Sequence, residues 1–321
     1  MKISEKKFER LTNLSNKNQV IAALAIDQRG AMEKLFAGLE GEERTKAIKE
    51  YKKLVSKELT KYSSSILLDP IYGLDAIDER DENAGLLLAY EITGYREESR
   101  QLELTTDLSV KRIQDLGADA VKILLYYDVD DTDESNEPKK AMIERIGAEC
   151  LAYDMPFFLE IISYDSHITD KKEYAKLKPH KVNEAVREFS KPQYFVDVLK
   201  LEVPVDMNFV EGFGEDVVMT QEEARQAFLD QSNATNLPYI FLSAGVTMEL
   251  FKETLRFAKN AGAKFHGVLC GRATWKDGIK AFEECKEKGV EWLQTQGKEN
   301  IISLNEVIEE VCVPWTERLE K

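Results

Sequence analysis

Eight short apolar runs recur along the chain, at 20–26, 65–68, 86–90, 120–125, 157–162, 196–203, 239–242 and 267–270. Longer segments between them mix charged residues with apolar ones at helical spacing. In 142–151, for example, Ile143, Ile146, Gly147, Cys150 and Leu151 fall at i, i+3, i+4, i+7 and i+8, one packing stripe along a helix. Gly117 and Gly262 each follow such a segment and precede an apolar run, where a left-handed residue is expected to close a helix. Short runs alternating with helices are βαβ units, and eight of them make a closed parallel barrel. The pattern predicts an α/β protein with a single (β/α)8 barrel over residues 1–321. Its units of about 40 residues succeed one another without a Pro-, Gly- or Ser-rich linker. The alternative, an open doubly wound sheet, usually has fewer strands and often a glycine fingerprint after the first, which this chain lacks.

Charges interrupt three consecutive runs. Strand alternation puts Ala120, Lys122 and Leu124 on one face, likewise Phe158, Glu160 and Ile162, and likewise Val198, Lys200 and Glu202. Lys122 and Glu160 are 38 residues apart, Glu160 and Lys200 40, so a regular barrel is expected to bring all three to comparable depth on strands about 4.8 Å apart. An unpaired ammonium in an apolar interior costs several kcal/mol, so such a lysine lowers its pKa or gathers carboxylates. A second cation disfavours protonation of a reactive amine, and a carboxyl group can carry protons through carbinolamine formation and dehydration. The same charges also suit a purely structural ion-pair network. Asp27 ends the first run at the carboxyl end, where barrel sites form. It is placed to orient Lys200, to hold a substrate hydroxyl, or only to bond Arg29. Asp69, before Pro70, is equally a turn residue.

The last two runs lead into Ser243-Ala244-Gly245 and Gly271-Arg272. Small residues let backbone N–H groups approach an anion, and an arginine adds a forked cationic donor. Loops after the seventh and eighth strands are the usual phosphate cradle of such barrels.

Composition narrows the partners. With 43% hydrophobic and 32% charged residues, the 321-residue chain suits a soluble protein with a sizeable core. A net charge of −15 argues against nucleic acid and anionic membranes. No secretory signal or membrane-spanning run is evident, and the four cysteines form no CxxC pair, so a cytoplasmic protein with free thiols is expected. His167, His180 and His266 show no ligand spacing, and no catalytic metal is expected of them. The acidic run 128–134 reads as a solvated loop, and the connection 204–217 as a lid or an ordered loop.

Longer strings then resemble one family throughout the chain: ALAIDQRG (23–30), SSILLDP (64–70), LLYYDVD (124–130), PFFLE (156–160), VDVLK (196–200) and GVLCGRATW (267–275). Together they resemble the bacterial class I tagatose 1,6-bisphosphate aldolases. The resemblance implies a (β/α)8 enzyme that cleaves this phosphorylated ketohexose to dihydroxyacetone phosphate and glyceraldehyde 3-phosphate, in the tagatose 6-phosphate branch of lactose and galactose use. It implies no metal or organic cofactor. Carried over by position, Lys200 is the Schiff-base lysine and Glu160 the acid/base carboxylate, with Asp27 and Lys122 flanking the imine. Ser243, Gly245, Gly271 and Arg272 hold a phosphate, with Gln28 close by. Ile26, Ile123 and Leu201 depart from commoner family residues and are expected to affect packing only. Use of fructose 1,6-bisphosphate is expected as well, and a homo-oligomer, a dimer first. Two other functions fit the same residues: a sugar-phosphate isomerase using Glu160 without a covalent step, and a sugar-phosphate sensor with a regulatory protein partner.

Overall fold

The computed structural model describes residues 2–92 and 100–320. Strands β1 (Ile21–Ala25), β2 (Ser65–Leu68), β3 (Gly85–Ala89), β4 (Ala120–Tyr127), β5 (Phe157–Ser163), β6 (Val198–Leu201), β7 (Tyr239–Leu242) and β8 (Gly267–Cys270) close in chain order into a barrel. All neighbours pair in parallel, and β8 returns to β1 through Ile21 opposite Gly267 and Ala23 opposite Leu269. Each predicted run is a strand, within a residue or two at its ends. Because the strands are buried on both faces, they read as near-continuous apolar runs.

Alternation divides the core in two. Ala23, Leu67, Leu87, Phe158, Ile240 and Leu269 fill the barrel interior, whereas their strand neighbours Leu24, Ile66, Leu86, Leu159 and Phe241 pack against the surrounding helices. The helix Glu5–Asn13, capped by Ser4, closes the amino end of the barrel. Leu11, Leu14 and Trp315 join the interior cluster there, and buried Lys7 pairs with Asp197 at 2.6 Å. Sites of such barrels form at the opposite, carboxyl end of the strands.

The stripe predicted at 142–151 lies in the helix Asp133–Ala152, where Ile143, Ile146 and Cys150 are buried. Leu151 is not part of it: the side chain is 49% exposed, so the stripe ends one residue earlier. Gly147 is required, since a Cβ there would sit 2.0 Å from the Tyr194 carbonyl oxygen. Gly117 and Gly262, at φ +80° and +88°, follow their helices in the expected left-handed conformation. No helix among the described residues is long and apolar enough to cross a membrane.

Candidate active site

The carboxyl ends of the strands surround a pocket of about 520 Å³ that contains every site residue expected from the sequence, from Asp27 and Gln28 to Gly271 and Arg272. At its floor, Glu160 on β5 lies in register with Lys200 on β6, and Lys200 Nζ is 2.8 Å from Glu160 Oε1. Both side chains are more than nine-tenths buried.

Lys122 does not share their layer. It pairs in register with Phe158, while Leu124 stands opposite Glu160. Similar spacing in sequence did not mean equal depth, because strand-to-strand register in a closed barrel is staggered. Two residues of strand rise amount to about 6–7 Å, which the four-carbon stem of lysine spans. The fully buried ammonium therefore still reaches three carboxylates: Asp27 Oδ2 at 2.9 Å, Glu91 Oε1 at 3.0 Å and Glu160 Oε2 at 2.8 Å. Burial by itself lowers a lysine pKa, but the attraction of Asp27, Glu160 and Glu91 outweighs it and holds Lys122 well above the ordinary value. For Asp27, burial works to raise the pKa, and Lys122 followed by Lys200 overrides it and holds the carboxyl well below the usual range. Glu160 therefore faces a lysine with each oxygen, Oε2 towards Lys122 and Oε1 towards Lys200.

The two loops at the other end of the pocket form a cup. Ala244 and Gly245 adopt φ +48° and +79° in succession, and a Cβ on Gly245 would lie 2.9 Å from Arg272 Nη2. Gly271 likewise packs against Gln28, whose Nε2 would be 3.2 Å from an added Cβ. Gln28 Nε2 also donates to Asp27 Oδ1 at 3.2 Å, and its buried Oε1 has no donor. The arrangement joins a lysine able to attack a carbonyl, a carboxylate beside it able to move protons, and a glycine-lined cup with an exposed guanidinium able to hold an anion.

The family model described as DeoC/LacD family aldolase matches residues 21–277. The chain belongs to the DeoC/LacD aldolase family. It is 57% identical over 316 residues to a protein named tagatose 1,6-diphosphate aldolase 2 from Enterococcus faecalis, covering 97% of this chain and 96% of that one. It is 54% identical over 325 residues to tagatose 1,6-diphosphate aldolase of Staphylococcus aureus, covering 99% and 100%. Among solved structures, a fructose-bisphosphate aldolase from Plasmodium falciparum superposes with a TM-score of 0.67 at 17% identity, over 96% of this chain and 95% of that one. An archaeal fructose 1,6-bisphosphate aldolase gives 0.62 at 15%, over 95% and 99%. These two share the fold.

Some features of this DeoC/LacD aldolase differ from the sequence reading. Arg29 does not bond Asp27; its guanidinium donates to the Glu91 carbonyl oxygen at 2.6 Å and to Glu91 Oε1 at 3.1 Å. Glu91 itself was missed, although Leu87, Ala89 and Glu91 follow one another at a period of two from the interior face of β3. Asp69 is buried and accepts from the Ile71 and Tyr72 amides at 2.9 and 2.8 Å while pairing with buried Lys52. It is a turn and scaffold residue behind β2. The acidic run is not simply solvated: Asp128 is buried and pairs with Lys181, which also meets Asp130 and Asp165 at 2.9 and 2.8 Å. Cys270 faces the helices. Burial pushes its thiol up to about 12, which keeps it protonated and unsuited to nucleophilic attack at neutral pH.

Proposed function

We propose that this enzyme is a Schiff-base aldolase that cleaves D-tagatose 1,6-bisphosphate to dihydroxyacetone phosphate and D-glyceraldehyde 3-phosphate, with residues 1–321 acting as one barrel domain. The names of relatives at 54–57% identity support the substrate. The chemistry rests on one observation above the others, the 2.8 Å approach of Lys200 Nζ to Glu160 Oε1 on the floor of an open pocket.

In this mechanism the neutral Lys200 amine adds to the C2 carbonyl of the open-chain sugar. Glu160, within reach of that nitrogen, carries the protons that convert the carbinolamine to an iminium and water. The iminium is the electron sink: the C4 hydroxyl loses its proton, the C3–C4 bond breaks towards C2, and glyceraldehyde 3-phosphate leaves. The Glu160 carboxylate, on the pocket floor beside Lys200, is the group suited to receive the C4 hydroxyl proton. The enamine is then protonated at C3 and hydrolysed, which returns the lysine and releases dihydroxyacetone phosphate. The Ser243-Ala244-Gly245 and Gly271-Arg272 cup, with Gln28 beside it, holds a phosphate and so fixes which carbonyl carbon meets Lys200. Asp27 and Lys122 hold the charge pattern around the imine.

The same reading includes use of fructose 1,6-bisphosphate through relaxed recognition of C4, a cytoplasmic place in lactose and galactose breakdown, and a homo-oligomeric enzyme. The chemistry is tested by borohydride reduction in the presence of dihydroxyacetone phosphate followed by peptide mass spectrometry. One adduct, on Lys200, is expected, with cleavage persisting in EDTA. An adduct on Lys122, or none, overturns the assignment.

A further inference from the structure

Glu91 stands immediately beyond β3 and is 2% exposed, yet the mechanism above gives it no task. Its carboxylate is shared three ways. Oε1 accepts from Arg29 Nη2 at 3.1 Å and from Lys122 Nζ at 3.0 Å, and Oε2 accepts from the Leu124 amide at 3.2 Å. Glu91 thus couples the loop after β1 to the middle of β4, and through Lys122 it reaches the other two carboxylates of the site. Accepting its assignment of Lys200 as the Schiff-base residue, we propose that Glu91 is a positioning residue whose negative charge, relayed through Lys122, stabilises the cationic iminium of Lys200 at the expense of its free amine.

The argument is one of charge in a buried space. Among the described residues, the buried charges of the pocket are Arg29, Lys122 and Lys200 on one side and Asp27, Glu91 and Glu160 on the other. The set is neutral when Lys200 carries a proton, negative when the amine is free, and neutral again when the nitrogen becomes an iminium. Other groups near Lys200 do not alter that alternation. Asp69 is neutralised by Lys52 behind β2, and Glu202, at the end of β6, accepts from Ser163 and lies 3.7 Å from Lys178. Burial raises the Tyr126 phenol on β4 and the Cys270 thiol on β8, so both stay neutral. Arg272 is exposed to solvent, where its field is screened. Lys122 is held well above the ordinary lysine value and so remains a fixed cation throughout. Removing the Glu91 charge leaves the set positive with Lys200 protonated and neutral with the amine free. The free amine is then favoured and the iminium disfavoured.

The test is the pH profile of kcat/KM together with borohydride trapping, on full-length Glu91→Gln and Arg29→Gln. The first keeps shape and loses a negative charge; the second loses a positive one from the same network. The acid limb is expected to move down by about one pH unit in Glu91→Gln and up by about as much in Arg29→Gln. Iminium trapped on Lys200 at steady state is expected to fall about tenfold in Glu91→Gln, one pH unit being tenfold in the equilibrium, and Glu91→Asp to restore the native limb. A merely structural role would not produce shifts of opposite sign. A folded Glu91→Gln enzyme with an unmoved limb and normal trapping overturns the proposal. Should that variant not fold, Arg29→Gln decides, and a limb that stays or moves down overturns it. Failure of the unaltered enzyme to trap on Lys200 would instead remove the Schiff-base assignment itself.

Discussion

Replacing Lys122 by Met tests the buried network most severely, because the stem is kept and the charge is lost. Three carboxylates lie 2.8 to 3.0 Å from the ammonium. At such distances each pair has a gross attraction of roughly 5 to 6 kcal/mol for an effective dielectric of 20. Much of that sum offsets the desolvation of four buried charges. What remains measurable is the cost of stranding the partners, about 3 to 5 kcal/mol when one member of a buried pair is removed. That is a large share of a typical domain stability of about 5 to 15 kcal/mol. The loss also depends on pH. In the native enzyme the Asp27 pKa is held below its ordinary 3.8, chiefly by Lys122 and Lys200 acting against burial. Its contribution to stability is therefore present above that value and is lost only as pH falls below it. Without Lys122, burial dominates and the folded-state pKa rises above the unfolded one. The carboxylate then weakens the fold at neutral pH and ceases to do so as acid protonates it. Urea unfolding followed by tryptophan fluorescence at pH 7.5 and pH 5 should show a gap between variant and native protein of about 3 kcal/mol or more at the higher pH, narrowing by at least about 1 kcal/mol at the lower. A gap below about 1 kcal/mol at pH 7.5, or one equal at both pH values, would refute the view of Lys122 as the charge on which three carboxylates depend.

Two further changes probe other parts of the molecule. Gly245→Ala places a side chain at φ +79° and 2.9 Å from Arg272 Nη2. With left-handed strain of about 1 to 2 kcal/mol and a displaced guanidinium, steady-state assays should find KM for the bisphosphate raised about tenfold and kcat changed far less; an effect confined to kcat would contradict the phosphate assignment. His266, behind the barrel, is pushed down to about 4 by burial; its Nδ1 donates to the Val313 carbonyl oxygen and its Nε2 accepts from Arg318. The unfolded chain takes up a proton near pH 6.5 that the folded one refuses until about pH 4, so stability should fall by about 3 kcal/mol as pH drops across that window. Thermal melts of His266→Gln should lose that part of the slope, and an unchanged slope would count against it.

The sequence was most informative where period and chemistry coincide. All eight strands were legible because parallel barrel strands are apolar on both faces, and a charge in such a run has few reasons to be there. Lys200, Glu160 and Lys122 were therefore visible, and alternation assigned them correctly to the interior. Their relative depth was not visible, since depth depends on shear, a property of barrel closure that no single strand encodes. Glu91 and its pairing with Arg29 escaped for a related reason. Each stands just past an apolar run, where alternation stops being tracked, and their mutual contact joins residues 62 apart in sequence. Asp128 was misjudged because an acidic run looks solvated until Lys181, 53 residues on, is seen to neutralise it.

Burial alone does not single out the proposed Schiff-base lysine, because Lys52, Lys122 and Lys200 are all buried. What separates them is how fully each ammonium is used. Lys52 pairs with Asp69 and donates to the Ile26 and Gln28 carbonyl oxygens at 2.7 and 2.9 Å, and burial lowers its pKa. It lies outside the pocket lining. Lys122 lines the pocket but carries three carboxylates, and to become a nucleophile it would have to give up a proton they all favour. Lys200 lines the pocket and, among the described residues, pairs with Glu160 alone. It is the one of the three whose nitrogen faces the pocket with a single carboxylate beside it. One lysine is saturated and one sparsely paired, and a single carboxylate meets both, with Glu160 Oε2 turned to Lys122 and Oε1 to Lys200 Nζ.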